Sequence, residues 1–293
     1  MKKIVTLFEI ESIDMLKDHC DGFLVGQDLV STRLTRSFDV NEIKQIAEKS
    51  ASFNKECFIM MNRILHDKDE HHYEAFIRAV DSPSVTGYVA ADIGVLTVLK
   101  RLGLSSKMIY NPETLLTNVF DVFYYREYGI KGAFLAKEIT LEDIISIGSN
   151  RPFHLFMYIH GYLNMFYSKR QLIEAYFENK QTPNLYHNQR NLTVVEEKRP
   201  EFRYKALEDE AGTHIFRENV FSGIDYQDQL KNAVDYVIID TIFHDDLYAL
   251  EVLKCFLDPN ESSRKRIQQQ YQEKWDTGFF FKKTVYKPKK VTI

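Results

Sequence analysis

The residues with the greatest capacity for chemistry stand where apolar runs end. His160 closes the run Phe153–Ile159 and is followed at once by Gly161. A histidine with a reference pKa of about 6.5 can serve there as general acid or base. Tyr167, Lys169 and Arg170 follow closely. The two cations could hold a phosphate or an anionic ring substituent, and the tyrosine could stack on a base. Surface ion pairing is the alternative for the cations, and core packing beside Phe166 the alternative for Tyr167. Gln27, Asn62, Asp92, Asn111, Lys137, Glu138 and Asp240 end other apolar runs and add carboxylates, amides and a cation able to grip a polar ligand. Lys137 and Glu138 are adjacent, so on one strand they point to opposite faces and only one can enter a shared site. His160 and Glu138 are the candidates for proton transfer. Asn62, Asp92, Lys137, Tyr167 and Arg170 are the candidates for binding.

Several chemistries lack their residues. No Gly-x-Ser-x-Gly elbow, His-Glu-x-x-His helix, Walker lysine loop or Gly-x-Gly-x-x-Gly occurs. His71 and His72 lack the one-turn spacing by which two imidazoles share a metal. Cys20, Cys57 and Cys255 are too scattered for a metal site or a disulfide framework. No metal site is expected. The formal charge of −4 argues against whole-surface attraction to nucleic acid, leaving room for a local basic patch. No apolar run reaches the ~18 residues of a membrane span, and the N-terminus lacks a cleavable apolar leader. The reading is a cytoplasmic chain with no membrane attachment.

Positioning these residues falls to an alternation of strands and helices. Apolar runs at Ile4–Phe8, Gly22–Gly26, Cys57–Asn62, Val85–Ala91, Lys107–Asn111, Gly132–Ala136 and 153–161 read as strands. Amphipathic stretches between them read as helices. Asp39 caps one that buries Ile43, Ile46 and Ala47, and Thr140 with Asp143 opens another as a capping box. The spacing implies a parallel sheet with helices outside, and so many units favour a closed (β/α) TIM-barrel-like fold over the rival doubly wound sheet. Beyond His160-Gly161 the chain reads as turning into a helix, with Ser168, Lys169 and Arg170 on its first turns and Leu172, Ile173, Tyr176 and Phe177 as its stripe. After residue 180 the period changes to two, which predicts a small antiparallel β insertion over 188–220. A strand at Tyr236–Asp240 and a helix at Leu247–Phe256 complete a barrel-like domain over 1–260. The remainder, 261–293, reads as a C-terminal extension: a polar helix at Ser262–Lys274, a short docked strand at Phe279–Phe281, and a basic tail from Lys282 that either meets RNA phosphates or is simply solvated.

In Val89-Ala-Ala-Asp-Ile-Gly-Val-Leu96, Leu135-Ala-Lys-Glu-Ile-Thr-Leu-Glu-Asp-Ile144, Tyr158-Ile-His-Gly161 with Tyr167-Ser-Lys-Arg170, and Asp209-Glu-Ala-Gly-Thr-His-Ile-Phe216, the chain resembles the collagenase-like peptidase family U32, over nearly its whole length. It resembles in particular the branch that lacks the usual cysteines. The family pattern implies cysteines where this chain has Asn164 and Gln171, and a second pair that is missing from Leu185–Arg203. Members with all four are thought to hold an iron–sulfur cluster, which needs thiolates that amides cannot replace. The resemblance therefore implies no cluster and no other cofactor here. The family's Ile-Glu-Gly-Arg motif is altered to Ile239-Asp-Thr-Ile242. Better-understood members resemble factors for hydroxylation of the transfer RNA wobble uridine, of ribosomal RNA or of quinone rings, and cysteine-poor members often accompany a cysteine-bearing paralogue. The reading is an accessory or partner subunit in transfer RNA hydroxylation, with such a paralogue and transfer RNA as partners. A U32-type peptidase, as the family name implies, and a non-catalytic binder of a small carboxylate metabolite are the alternatives.

Overall fold

The computed structural model describes residues 1–282. Seven parallel strands run in chain order, β1 (Lys2–Thr6), β2 (Gly22–Gly26), β3 (Glu56–Met61), β4 (Gly87–Ala90), β5 (Met108–Tyr110), β6 (Gly132–Phe134) and β7 (His154–Gly161). Helices α1 (Ile13–Leu16), α2 (Val40–Ser52), α3 (Glu70–Val80), α4 (Gly94–Arg101), α5 (Val119–Arg126) and α6 (Leu141–Gly148) alternate with them. Next come β8 (Asn164–Ser168), α7 (Leu172–Asn179), β9 (Thr193–Glu196), β10 (Arg199–Asp209), β11 (Gly212–Phe216) and β12 (Val220–Ser222). The chain then adds α8 (Gln227–Leu230), β13 (Tyr236–Ile239), α9 (Asp246–Leu257), α10 (Glu261–Gln270) and β14 (Trp275–Asp276).

β13 pairs in parallel with both β1 (Lys2↔Tyr236) and β7 (Phe156↔Tyr236), which closes an eight-stranded barrel. Closure rules out the doubly wound sheet. The barrel interior is solid: Ile4, Leu24, Phe58, Val89, Phe156 and Tyr236 are among its buried side chains. Phe156 and Tyr236 stack at 4.4 Å, and Phe58 meets both edge-on. Such a packed interior leaves the strand ends as the place for a site. A larger apolar shell joins barrel and helices, with Ile43, Ile46, Tyr73, Phe76, Ile77 and Val252 within it. Asp39 and Thr140 make the capping boxes expected of them.

Two expectations are corrected. The segment after Gly161 is a strand: β8 pairs antiparallel with β11 (Ser168↔Thr213, Tyr167↔His214), and the helix begins only at Leu172. The insertion is thus a four-stranded sheet in the order β8-β11-β10-β9, with β8 drawn from outside its predicted span. Its partner lies more than forty residues downstream, so a local apolar period could not reveal the pairing. Residues 279–281 form a turn, and the added parallel strand is β14, which pairs with β12. β12 in turn pairs antiparallel with the end of β7 at His160 and Gly161. The basic tail beyond Lys282 lies outside the described residues.

Candidate functional site at the barrel mouth

The carboxyl ends of the strands meet under the inner face of the four-stranded sheet, which lies over them as a lid. Side chains alternate across that sheet: Tyr167, Leu207, Asp209, His214 and Phe216 face the barrel, while Phe166, Tyr204, Ala206 and Ile215 face away. The cavity between lid and barrel measures only about 20 Å³, and Arg33, Glu113, Lys137, Tyr158, Asn164 and Asp240 are among its lining residues.

An ion triad fills the centre. Glu113 pairs through one carboxylate oxygen with the Arg33 guanidinium and through the other with Lys137 Nζ at 2.5 Å. Arg33 also donates to Asn164 Oδ1 at 3.4 Å. The Arg33 and Lys137 side chains are only 10% and 7% exposed, so neither charge is left to water. Burial works to raise the Glu113 pKa, and the two cations outweigh it, holding the carboxyl at about 2. Both Arg33 and Glu113 have left-handed backbones, with φ of 56° and 64°. For residues with a Cβ this conformation costs about 1–3 kcal/mol each, and it persists where surrounding structure enforces it, commonly at functional sites. Gly161 supplies a third such position, with φ 132°, and an added Cβ would meet the Asp240 carbonyl oxygen at 2.4 Å.

Asp240 ends β13 beside this triad. Burial pushes its carboxyl up to about 6, despite the Ile242 N–H that it accepts at 3.1 Å. Arg190, from the turn before β9, reaches under the lid and spends its guanidinium on the carbonyls of Ile242, at 2.6 Å, and Leu34. On the other side Thr32 Oγ1 donates to Asp209 at 2.6 Å and lies 2.8 Å from His214 Nε2. With that hydroxyl proton committed to Asp209, the imidazole Nε2–H must be the donor to Thr32, which leaves Nδ1 as an unprotonated acceptor. Nδ1 is buried and has no hydrogen-bond partner. Burial lowers the His214 pKa, so the ring is neutral. Burial would raise the Asp209 pKa, but the His214 imidazole, 3.7 Å away, and the hydrogen bond from Thr32 outweigh it and hold it below the usual carboxylate range. Tyr167 stacks flat on His214 at 4.7 Å.

The residues singled out from the sequence divide. Lys137 lies in the triad, and Asn62 is buried and accepts the Thr32 N–H at 2.9 Å. Tyr167 covers His214 and donates its hydroxyl to the Ala211 carbonyl at 3.0 Å. Asp92 instead ties a turn, accepting from Leu65 N and Gly94 N. Glu138 is exposed and outside the cluster, as expected once Lys137 points inward. Arg170 is exposed at the start of α7. His160 lies at the edge of the cavity and is fully buried, with Nε2 2.8 Å from the Tyr248 hydroxyl and Nδ1 3.3 Å from Ser222 Oγ. Tyr248 donates onward to Glu273, which also pairs with His244 at 2.6 Å. Burial pushes the His160 pKa down to about 3, so the ring is neutral and joins the barrel to the C-terminal extension. Arg33, Glu113, Arg190 and Thr32 were not singled out: their loops carry no motif, and the strained backbone at Arg33 and Glu113 leaves no trace in residue type. Asp209 and His214 lie in a stretch that carries the family resemblance, but no role was read for them.

Fold and mouth together define a (β/α)₈ barrel whose strand ends are roofed by an antiparallel sheet and furnished with buried charge. The chain belongs to peptidase family U32, whose model matches residues 11–287. Among curated relatives, transfer RNA hydroxylation protein P2 of Bacillus subtilis is 27% identical, covering 94% of this chain and 95% of that protein. Transfer RNA hydroxylation protein P1 of the same organism is 21% identical over 50% of this chain and 35% of its own length. An uncharacterized protease of Methanocaldococcus jannaschii is 22% identical over 84% of this chain and 64% of that protein. A solved U32 peptidase shares the fold, with a TM-score of 0.52 at 12% identity over 82% of this chain and 92% of that one.

Proposed function

We propose that this chain supports hydroxylation of a transfer RNA uridine, at the wobble position, as the partner of a cysteine-bearing relative and without an iron–sulfur cluster of its own. The observation that carries the reading is the near full-length likeness to a transfer RNA hydroxylation protein P2, combined with the state of the two positions where the family pattern has thiolates. Asn164 spends its amide on the carbonyls of Phe166, at 2.9 Å, and Ile215, at 3.2 Å. Gln171 precedes α7, where the buried Glu208 carboxylate caps the helix through Ile173 N and Glu174 N, both at 2.8 Å. Cys20, Cys57 and Cys255 are buried elsewhere, and burial raises all three thiols, to about 12 for Cys20 and Cys57. Thiolate ligands need the opposite shift, so the residues present do not fit a cluster.

The mouth has its own part in this reading. Arg33 and Lys137 place two cations at a cavity that already holds Glu113 and Asp240, and Arg190 stands near enough to act on Asp240. A small anion admitted here would compete with Glu113 for Arg33 and Lys137. His160 acts as a positioning residue, fixing the end of β7 to the extension. The test is the nucleoside composition of transfer RNA from a strain lacking this chain. Loss of hydroxylated uridine supports the reading, and an unchanged nucleoside profile rejects it.

A further inference from the structure

The lid sheet has a second face that the mouth does not use. On it lies an open groove of about 950 Å³ between the sheet and α7. Five aromatic rings line it: Phe166, Tyr176, Phe177, Tyr186 and Tyr204. Phe177 stacks on Tyr186 at 5.5 Å and meets Tyr176 edge-on at 5.3 Å. Yet three of these rings are not covered: Tyr176 is 57% exposed, Phe166 42% and Tyr186 40%. Large exposed aromatics gathered in one concavity mark an interaction surface.

Charge indicates what kind. Residues 164–205 hold eight Lys and Arg against five Glu; of these Arg190 and Lys205 turn toward the barrel, and Arg199 pairs with Glu196 at the groove. Lys180, just after α7, places its Nζ 5.7 Å from the Tyr176 ring, so a cation stands at the groove itself. Arg170, Lys180 and Lys198 are exposed, and among the described residues no ion pair engages them. Aromatic platforms beside unpaired cations are what unpaired nucleotides require, since every base has a π-face and every linkage a phosphate. An apolar peptide would use the rings but leave the cations without purpose. A duplex would use the cations but keep its bases stacked within itself.

We propose that this groove binds an unpaired stretch of RNA, its bases against Tyr176, Phe166 and Tyr186 and its phosphates toward the cations of the same segment. The inference rests on the transfer RNA reading above and places the RNA on the outer face of the lid. There the RNA contacts α7 and β8, the segment that runs on directly from the mouth.

The experiment is fluorescence anisotropy of the full chain with a short RNA hairpin bearing an unpaired loop, against the same stem closed into a continuous duplex. Loop RNA is expected to bind more tightly than duplex. Tyr176→Ala and Tyr186→Ala, both at exposed positions, should each weaken binding roughly five- to a hundred-fold, while Tyr176→Phe, which keeps the ring, should bind like wild type. Arg170→Ala should lower the slope of log affinity against log salt by about 0.7. Equal binding of loop and duplex, or indifference to both alanine variants, overturns the groove as an RNA site. So does an outcome in which the alanine variants keep RNA but lose capture of the cysteine-bearing relative, because the groove is then a protein interface. Failure here is separable from failure of the functional reading. If groove variants restore hydroxylated uridine fully in a strain that lost it with this chain, the groove falls and the function stands.

Discussion

Replacing Glu113 with glutamine removes one charge from the mouth and little else. The amide keeps the shape and the left-handed backbone, so any strain at φ 64° is present in both proteins and cancels. What remains is the loss of a carboxylate held between Arg33 and Lys137, whose side chains are 10% and 7% exposed. Two routes give the cost. The carboxyl is held at about 2 against an ordinary 4.5, and at ~1.36 kcal/mol per unit this is worth about 3 kcal/mol near neutral pH. Stranding the buried partners of a broken ion pair costs about 3–5 kcal/mol by a separate line of measurement. The pKa is depressed, so the stabilisation is fully present above about pH 4.5 and disappears as pH falls through about 2. Urea unfolding of both proteins at neutral pH and at two acidic values reads this directly. Glu113→Gln should be about 3 kcal/mol less stable near pH 7, and the gap should narrow steadily below pH 4.5. A gap under ~1 kcal/mol, or one that persists undiminished into acid, would refute the reasoning.

Three further perturbations follow from the same geometry. His160, with its pKa pushed down to about 3, stays neutral in the folded chain while the unfolded chain takes a proton below about 6.5, so stability falls with acid across that window by up to ~1.4 kcal/mol per pH unit. His160→Gln should flatten this part of the pH–stability curve, and an unchanged slope would contradict the assignment. Gly161→Ala must put a Cβ at φ 132° and 2.4 Å from the Asp240 carbonyl oxygen, and thermal unfolding should show a loss of about 1–3 kcal/mol or more; a neutral effect argues against this backbone conformation. Glu208→Ala removes the cap on α7 and the partner of the Thr213 hydroxyl, so hydrogen exchange should quicken across Leu172–Asn179 while β1–β7 keep their protection; an α7 as protected as before would show that the helix is held by its apolar face alone.

The barrel was legible because its signals are local. Gly22–Gly26, the Asp39 cap and the Ile43–Ile46–Ala47 stripe each declare an element within a few residues, and the structure bears them out. What pairs at a distance was not legible. Ser168, Lys169 and Arg170 read as the first turns of a helix because Leu172, Ile173, Tyr176 and Phe177 set a helical period just beyond them, and only pairing with β11 makes Asn164–Ser168 a strand. The candidate site divides the same way. Asn62 and Lys137 were found from strand ends, whereas Arg33 and Glu113 sit in loops and matter through a strained backbone and an ion pair that only the closed barrel creates. Asp209 and His214 lie in a stretch that carries the family resemblance but gave them no role, and the lid brings them to the mouth.

The account depends most on a chain that works beside a cluster without holding one. The direct measurement is iron and acid-labile sulfide on this chain, tagged and purified anaerobically, first alone and then after co-expression with a cysteine-bearing relative. The prediction is colourless, iron-free protein alone, and iron that appears only with the relative and in proportion to it. Iron and sulfide bound in cluster stoichiometry by this chain alone would contradict the account.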